Sequence, residues 1–434
     1  MTIVGGQPLR GTVPIAGAKN AALPLMAAAL LTDQPLTLTN VPRLRDIGTL
    51  RKVLAELGVK SRRTSDSTLR LQTVEAGRYR ADEKYVQRMR ASFCVLGPLL
   101  ARQGRAVVPL PGGCVLGQRP VDVHLRALEQ MGAEISLAHG QVIARATRLH
   151  GAAVSMLSPR GPSVTGTANV LSAAVLARGT TIIQHAAQEP EIVELAALLT
   201  TMGARIDGAG SDTIQVCGID QLHGTRHQLM PDRIEAATYL FAAIVTRGDI
   251  VLQEARPEQM QPVIELAEQM GATVTVEPAG LRVTMADRPR AFSTTAQPYP
   301  GLPTDVQPLV TVAAALANGE STIADQVFPH RWAQLAELTR MGADIKQGEP
   351  GALATGVSAL TGASVIGYDL RATAALVLAG LAAKGVTTLH GLHHLERGYQ
   401  NLPANLQRVG ANIRVEKFKQ VRDTPPVPAD FFEK

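Results

Sequence analysis

Aromatic residues are scarce in this sequence: Trp, Tyr and Phe supply 3% of its 434 residues, with one Trp among them, while 45% of the chain is hydrophobic. The interior therefore has to be built from Ala, Leu, Val and Ile on closely packed elements, which points to a regular, Ala-rich α/β architecture. Cysteine is scarce too. Cys94, Cys114 and Cys217 are odd in number and lack framework spacing, and the opening MTIVGG has neither the basic nor the apolar region of a secretory leader, so a reducing, cytoplasmic setting is expected. The most apolar stretches, such as 21–31, reach about half of the ~20 residues that span a bilayer, and no membrane contact is expected. No Walker A sequence and no GxGxxG after a strand occur, so neither a P-loop nor a dinucleotide fold is supported. The ten His residues have no metal-ligand spacing, and neither a metal nor a cofactor is expected.

The chain is too long for one ordinary core, and at least two domains are expected. Lys and Arg exceed Asp and Glu by 43 to 37, which suits an acidic ligand without the density of a nucleic-acid binder. No nucleic acid and no obligate protein partner are expected.

What is abundant is internal repetition. Leu57-Gly58-Val59, Met131-Gly132-Ala133, Met202-Gly203-Ala204, Met270-Gly271-Ala272, Met341-Gly342-Ala343 and Val409-Gly410-Ala411 recur every 68 to 74 residues. An amphipathic pattern precedes each, as in IVELAALLTTMGARI (192–206), and Gly suits the left-handed turn that ends a helix. A second series, Arg102-Gln103-Gly104, Arg178-Gly179, Arg247-Gly248, Asn318-Gly319 and Lys384-Gly385, closes five segments that are apolar almost all round, and AALPLMAAALL opens the series as a sixth. Helices of that kind belong inside a fold. Each unit reads as buried helix, Gly turn, strand, amphipathic helix, Gly turn and strands. Six units follow, three to a domain, with helices central and sheets outside. Strand-to-helix loops then deliver residues at helix N-termini, where backbone N–H groups and the dipole favour anions; Arg45, Arg119, Arg331 and Arg397 share that place. A ring-shaped sliding clamp, also made of repeated two-layer units, would need basic helices facing nucleic acid, whereas one helix of each unit here is almost chargeless.

The segment PGGCVLGQRPVDVH (111–124) describes a mobile loop, unsuited to helix or strand, with Cys114 at its tip. An electropositive neighbour such as Arg119 would favour the thiolate over the ordinary thiol of pKa ~8.5. Cys94 and Cys217 lie in apolar runs and are expected in the core. His124 opens an amphipathic helix, where a structural role is the plainer reading. Lys19 and Asn20 open the first apolar helix, Arg90 the second, Asp305 the fifth, and Asp369 with Arg371 the sixth. An Asp at such a position is also an ordinary N-cap worth ~1 kcal/mol, so both readings stand for Asp305 and Asp369. Four loaded helix starts together favour one composite site.

The motifs GAKNAALP (17–24), MRAS (89–92), PGGC, RPVDVH, EPEIVELA (189–196), PDRIEAATYL (231–240), PTDVQ (303–307), MGADI (341–345), DLRA (369–372) and RGY (397–399) together resemble the enolpyruvyl transferases that begin peptidoglycan precursor synthesis. The resemblance runs along nearly the whole chain. It implies an α/β (α+β) fold of two inside-out barrels: 19–226 as the first, 1–18 with 227–434 as the second, ending in a Pro-rich tail over 417–434. It further implies transfer of the carboxyvinyl group of phosphoenolpyruvate to the 3-hydroxyl of UDP-N-acetylglucosamine, with phosphate released. On matching positions, Lys19, Asn20, Arg119, Arg331, Arg371 and Arg397 would surround phosphoenolpyruvate. Arg90, Arg119, Pro120, Val121, Asp122, Val123, Asp305 and Val327 would contact the UDP-sugar, with His124 and Asp369 supporting. Cys114 would be the general acid and Asp305 the base, acting with Lys19 and Arg397.

Many relatives have a Lys near the start of the third unit; this chain has LSPRGPSVTGTAN (157–169), so contacts there could come from Arg160, Ser163 or Val164. Positive residues assigned to different halves would repel until an anion lies between them, so the domains are expected to close on ligand. Relatives with the same fold and donor use 3-phosphoshikimate, and a specialised pathway could supply another acceptor; loop shape decides between them.

Overall fold

The computed structural model describes residues 1–111 and 121–415. Cys114, Arg119 and Pro120, and the expected tail, lie outside the described residues. Two sets of three helices form the centre of the molecule. One comprises Lys19–Ala27 with its 3-10 continuation Ala28–Leu31, the 3-10 turn Arg90–Val95 running into Leu96–Gln103, and Val164–Ala174. The other comprises Arg233–Thr246, Gln307–Leu316 and Leu370–Ala382, which pack on one another. Every residue of Arg233–Thr246 and of Gln307–Leu316 is buried. Side chains as small as Ala242, Ala243, Ala314 and Ala375 allow that close approach, which explains how so few aromatics fill so large an interior.

The sheets lie outside these helices. Five four-stranded sheets, one three-stranded and one two-stranded are present among the described residues. Their strands alternate, as in Asp249–Gln253, where Ile250 and Leu252 are buried and Gln253 is exposed. That strand pairs parallel with Arg10–Pro14 and antiparallel with Gly280–Thr284. Thr2–Val4 lies between Val386–His390 and Asn412–Arg414, antiparallel to both. The N-terminal strands therefore complete sheets made by the C-terminal part of the chain. Conversely, Arg226–Gln228 returns to pair with Leu36–Thr39. Two large hydrophobic cores result among the described residues, one drawn from residues 22–229 and one from 1–15 with 234–413, with a small third cluster of Ala18, Ala21 and Met230.

The repeated glycines end the outer helices as the pattern requires. All six are left-handed, from φ +84° at Gly58 to +107° at Gly203. The second series departs once. After Arg233–Thr246 the left-handed residue is Arg247, not Gly248; Gly248 is needed because a Cβ there would stand 2.3 Å from the Leu9 carbonyl oxygen. Cys94 is buried as expected, and burial pushes its thiol up to about 12. Cys217 departs from expectation: it sits at the end of Thr213–Cys217 and is only half-buried, because that strand lies in an outer sheet. No helix among the described residues is long and apolar enough to cross a membrane.

Candidate active site

The starts of the central helices carry the charges that the sequence singled out. Lys19 opens its helix almost fully buried, with Nζ 3.4 Å from Asp46 Oδ2. The other oxygen of Asp46 accepts a hydrogen bond from Arg397 Nε at 3.1 Å. One carboxylate thus holds two cations, one from each core. The backbone N–H of Lys19 donates to Asp232 Oδ2 at 3.1 Å, while Asp232 Oδ1 caps Arg233–Thr246 by accepting from Ile234 and Glu235. Lys19 is lowered from its ordinary pKa chiefly by burial, with Arg371 and Arg397 adding to the effect and Asp46 and Asp305 opposing it.

Asp305 and Asp369 begin their helices alike and do different things. Asp369 is a cap, its Oδ1 accepting from the N–H groups of Arg371 at 2.8 Å and Ala372 at 2.9 Å. Asp305 caps nothing. Its Oδ1 lies 2.7 Å from Arg331 Nη2, and its Oδ2 accepts from Arg371 Nη2 at 2.9 Å. Burial, the largest single influence, works to raise its pKa, but Arg371, Arg331 and Lys19 outweigh it and hold the carboxyl well below the ordinary carboxylate range. Asp305 is therefore an anion at neutral pH, able to accept a proton from a hydroxyl brought to it. Arg371 is itself braced by Tyr399, whose Oη accepts from Nη1 at 3.1 Å and lies 2.9 Å from Thr238 Oγ1.

The expectation that these cations repel until a ligand arrives is corrected by this geometry. Asp46 and Asp305 already stand among them. The halves also meet elsewhere: Glu191 takes the guanidinium of buried Arg233 at 3.0 and 3.1 Å, and the Arg43 N–H donates to Gln400 Oε1 at 2.7 Å.

Other residues singled out in the sequence have more local settings. His124 is buried, with Nδ1 3.0 Å from Asn169 Nδ2 and Nε2 3.3 Å from Thr165 Oγ1; burial, helped by the charge of Arg90, lowers its pKa to about 3, so it is a neutral core imidazole. Arg90 starts the 3-10 turn beside it. Asp122 is exposed and pairs with Arg126 one turn on, at 3.1 Å, while Val121 is half-buried and Val123 buried. Ser163 caps Val164–Ala174 through Gly166 N–H at 3.1 Å, and Asn20 and Val164 are exposed. Arg160 lies 5.9 Å from the ring centre of Phe328, whose ring also faces Arg331 at 5.7 Å. The backbone N–H of Val327 donates to Asp325 Oδ1 at 2.9 Å.

Asp46, Asp232, Thr304 and Tyr399 belong to this site and were not singled out by the sequence. Asp46 follows Arg45 in the first turn of Arg45–Glu56, where an acid is an ordinary partner of the helix dipole. Tyr399 closes the RGY motif and could have been found there.

A cluster of cations and carboxylates at helix starts, between two helix-centred halves, is what an enolpyruvyl transferase needs to hold a phosphorylated acid. Residues 3–406 match the family model described as EPSP synthase (3-phosphoshikimate 1-carboxyvinyltransferase). The crystal structure of the enolpyruvyl transferase NikO from Streptomyces tendae superposes with a TM-score of 0.85 at 26% identity, covering 95% of this chain and 98% of that one. An EPSP synthase structure from Acinetobacter baumannii, 21% identical, has the same fold with a TM-score of 0.73, over 94% of this chain and 98% of its own. The chain belongs to the UDP-N-acetylglucosamine 1-carboxyvinyltransferase family. It is 44% identical to the member from Halorhodospira halophila over 95% of this chain and 98% of that protein, and 44% identical to the Myxococcus xanthus member over 96% and 99%.

Proposed function

We propose that this protein transfers the carboxyvinyl group of phosphoenolpyruvate to the 3-hydroxyl of UDP-N-acetylglucosamine and releases inorganic phosphate, the first committed step of peptidoglycan precursor synthesis. The observation that carries the reading is the convergence of Lys19, Arg331, Arg371 and Arg397 on Asp46 and Asp305, in a chain 44% identical to named transferases over nearly its whole length. The two cores are read as two domains, 19–226 and 1–18 with 227–434, each of three repeated units. A cytoplasmic setting accords with charged nucleotide-sugar substrates.

In this reading, Lys19, Arg119 and Arg397 hold the phosphate of phosphoenolpyruvate, while Arg331 and Arg371 hold the anionic cluster; guanidinium forks grip such groups bidentately. Arg90, Val121, Asp122, Val123 and Val327, with Ser163 or Val164, line the path of the UDP-sugar. Phosphoenolpyruvate is a poor electrophile until its methylene carbon is protonated, and Cys114 supplies that proton. The 3-hydroxyl oxygen then bonds to the adjacent carbon while Asp305 takes its proton. The tetrahedral adduct loses phosphate from that carbon and a proton from the new methyl group, which restores the vinyl double bond. Incubation with both substrates, followed by carbon and phosphorus NMR, tests this directly. A vinyl ether on the 3-oxygen with equimolar phosphate is expected; intact phosphoenolpyruvate with active-site occupancy overturns it.

A further inference from the structure

Asp325 ends the strand Glu320–Asp325, is buried, and forms no ion pair shorter than 4.0 Å among the described residues. Its two oxygens have separate tasks. Oδ1 accepts from two successive backbone N–H groups, Val327 at 2.9 Å and Phe328 at 2.7 Å, and so shapes the turn after the strand. Oδ2 accepts from Thr304 Oγ1 at 2.6 Å. A hydroxyl has one proton, so once the carboxylate has taken it, the Thr304 oxygen has only lone pairs left for its other neighbour. That neighbour is Arg331, whose Nη1 donates to Thr304 Oγ1 at 3.1 Å. The far side of the same guanidinium meets Asp305 at 2.7 Å, and Arg331 Nε has no hydrogen-bond partner among the described residues. Thr304 therefore holds one edge of the fork while Asp305 takes the other.

From this chain of contacts the structure assigns Asp325 as a positioning residue: acting through the Thr304 hydroxyl, it fixes the orientation of Arg331 and thereby the placement of the Asp305 carboxylate for proton abstraction. The inference rests on the reading of Asp305 as the base. Neither Asp325 nor Thr304 has to touch substrate. Thr304 precedes Asp305 directly, so the clamp also limits how far the backbone beneath the base can move. A base displaced by a fraction of an ångström loses turnover more than binding, since alignment matters most in the transition state.

The test compares Thr304→Val, Thr304→Ser and Asp325→Asn as intact proteins. Valine keeps the volume and removes the hydroxyl; serine keeps the hydroxyl. The amide of Asp325→Asn can still accept both turn N–H groups through its oxygen, but turns a donor toward Thr304 and leaves the hydroxyl proton without its acceptor. Thr304→Val and Asp325→Asn should each lower kcat by about tenfold or more, with the KM for phosphoenolpyruvate within about threefold of wild type. Thr304→Ser should recover most of kcat, and the Thr304→Val/Asp325→Asn double variant should be no worse than the poorer single, because both break one chain. Multiplying losses, a Thr304→Ser enzyme as poor as Thr304→Val, or wild-type kcat in Asp325→Asn overturn the assignment, and the last decides the matter should Thr304→Val fail to fold. Asp305→Asn separates this from the broader reading. Full turnover in Asp305→Asn removes the base itself, whereas an inactive Asp305→Asn beside a fully active Thr304→Val removes only the role of the clamp.

Discussion

Asp46 and Arg397 meet across 351 positions of sequence, the carboxylate oxygen Oδ1 accepting from Nε at 3.1 Å. With Lys19 on its other oxygen, Asp46 supplies the negative charge that lets cations from both cores stand together. Lys19 and Asp46 are buried while Arg397 is partly exposed, so Asp46 is the counter-ion without which Lys19 would be desolvated beside a second cation.

Asp46→Asn should therefore loosen the approach of the two halves. An amide oxygen can still accept hydrogen bonds, but the neutral group cannot offset two cations. Small-angle scattering without ligand should give a larger radius of gyration for Asp46→Asn than for wild type, with the difference reduced by saturating UDP-sugar and phosphoenolpyruvate. Identical radii in the absence of ligand would mean that other contacts, such as Glu191 with Arg233, set the arrangement alone.

Glu235 gives a prediction in pH. Its carboxylate accepts from the Ala16 N–H at 3.0 Å, and burial, reinforced by Asp232, lifts its pKa from an ordinary 4.5 to about 8. An acid with a higher pKa folded than unfolded favours the folded state in its protonated form. Its contribution is greatest below 4.5 and declines as pH rises from there to about 8. Glu235→Gln keeps an acceptor for Ala16 and removes the ionisation. Urea midpoints across this range should fall less steeply for the variant, with its largest advantage at and above the upper limit. Parallel profiles would show that Glu235 ionises in the folded protein as it does in water.

Much of the fold was legible because glycine reports backbone conformation locally. At Gly132 and Gly342, φ of +92° and +88° closes a helix in a conformation other residues rarely take, so the repeat could be seen without knowing any contact. The apolar segments likewise announced the central helices. The site was legible only in part, because its deciding contacts are distant. Asp305 and Asp369 each stand at the start of an apolar helix; Asp369 caps its own helix, while Asp305 faces Arg371, 66 residues on. Asp46 was silent for the same reason, since nothing near it in sequence points to Arg397. At Arg247 the left-handed turn precedes the expected glycine by one residue because Gly248 must accommodate the Leu9 carbonyl.

Cys114 is assigned as the acid by resemblance, and chemistry can separate its two abilities, proton donation and nucleophilic attack. Cys114→Ser should be nearly inactive, because a hydroxyl is too weak an acid at neutral pH. Cys114→Asp should retain measurable transfer, since a partly protonated carboxyl can deliver the proton, yet resist alkylation by epoxide phosphonates of the fosfomycin type. Activity assays with intact-mass spectrometry would follow both. An active Cys114→Ala enzyme, or a Cys114→Asp enzyme that gains the inhibitor mass as wild type does, would remove Cys114 from the role.

The central claim concerns the acceptor, and phosphate release from phosphoenolpyruvate measures it most directly. The purified protein is given phosphoenolpyruvate with UDP-N-acetylglucosamine in one reaction and with 3-phosphoshikimate in another. Release of one phosphate per UDP-sugar consumed, with none above background for 3-phosphoshikimate, is the result expected from this site. Release with 3-phosphoshikimate alone, or with neither acceptor, would contradict the assignment.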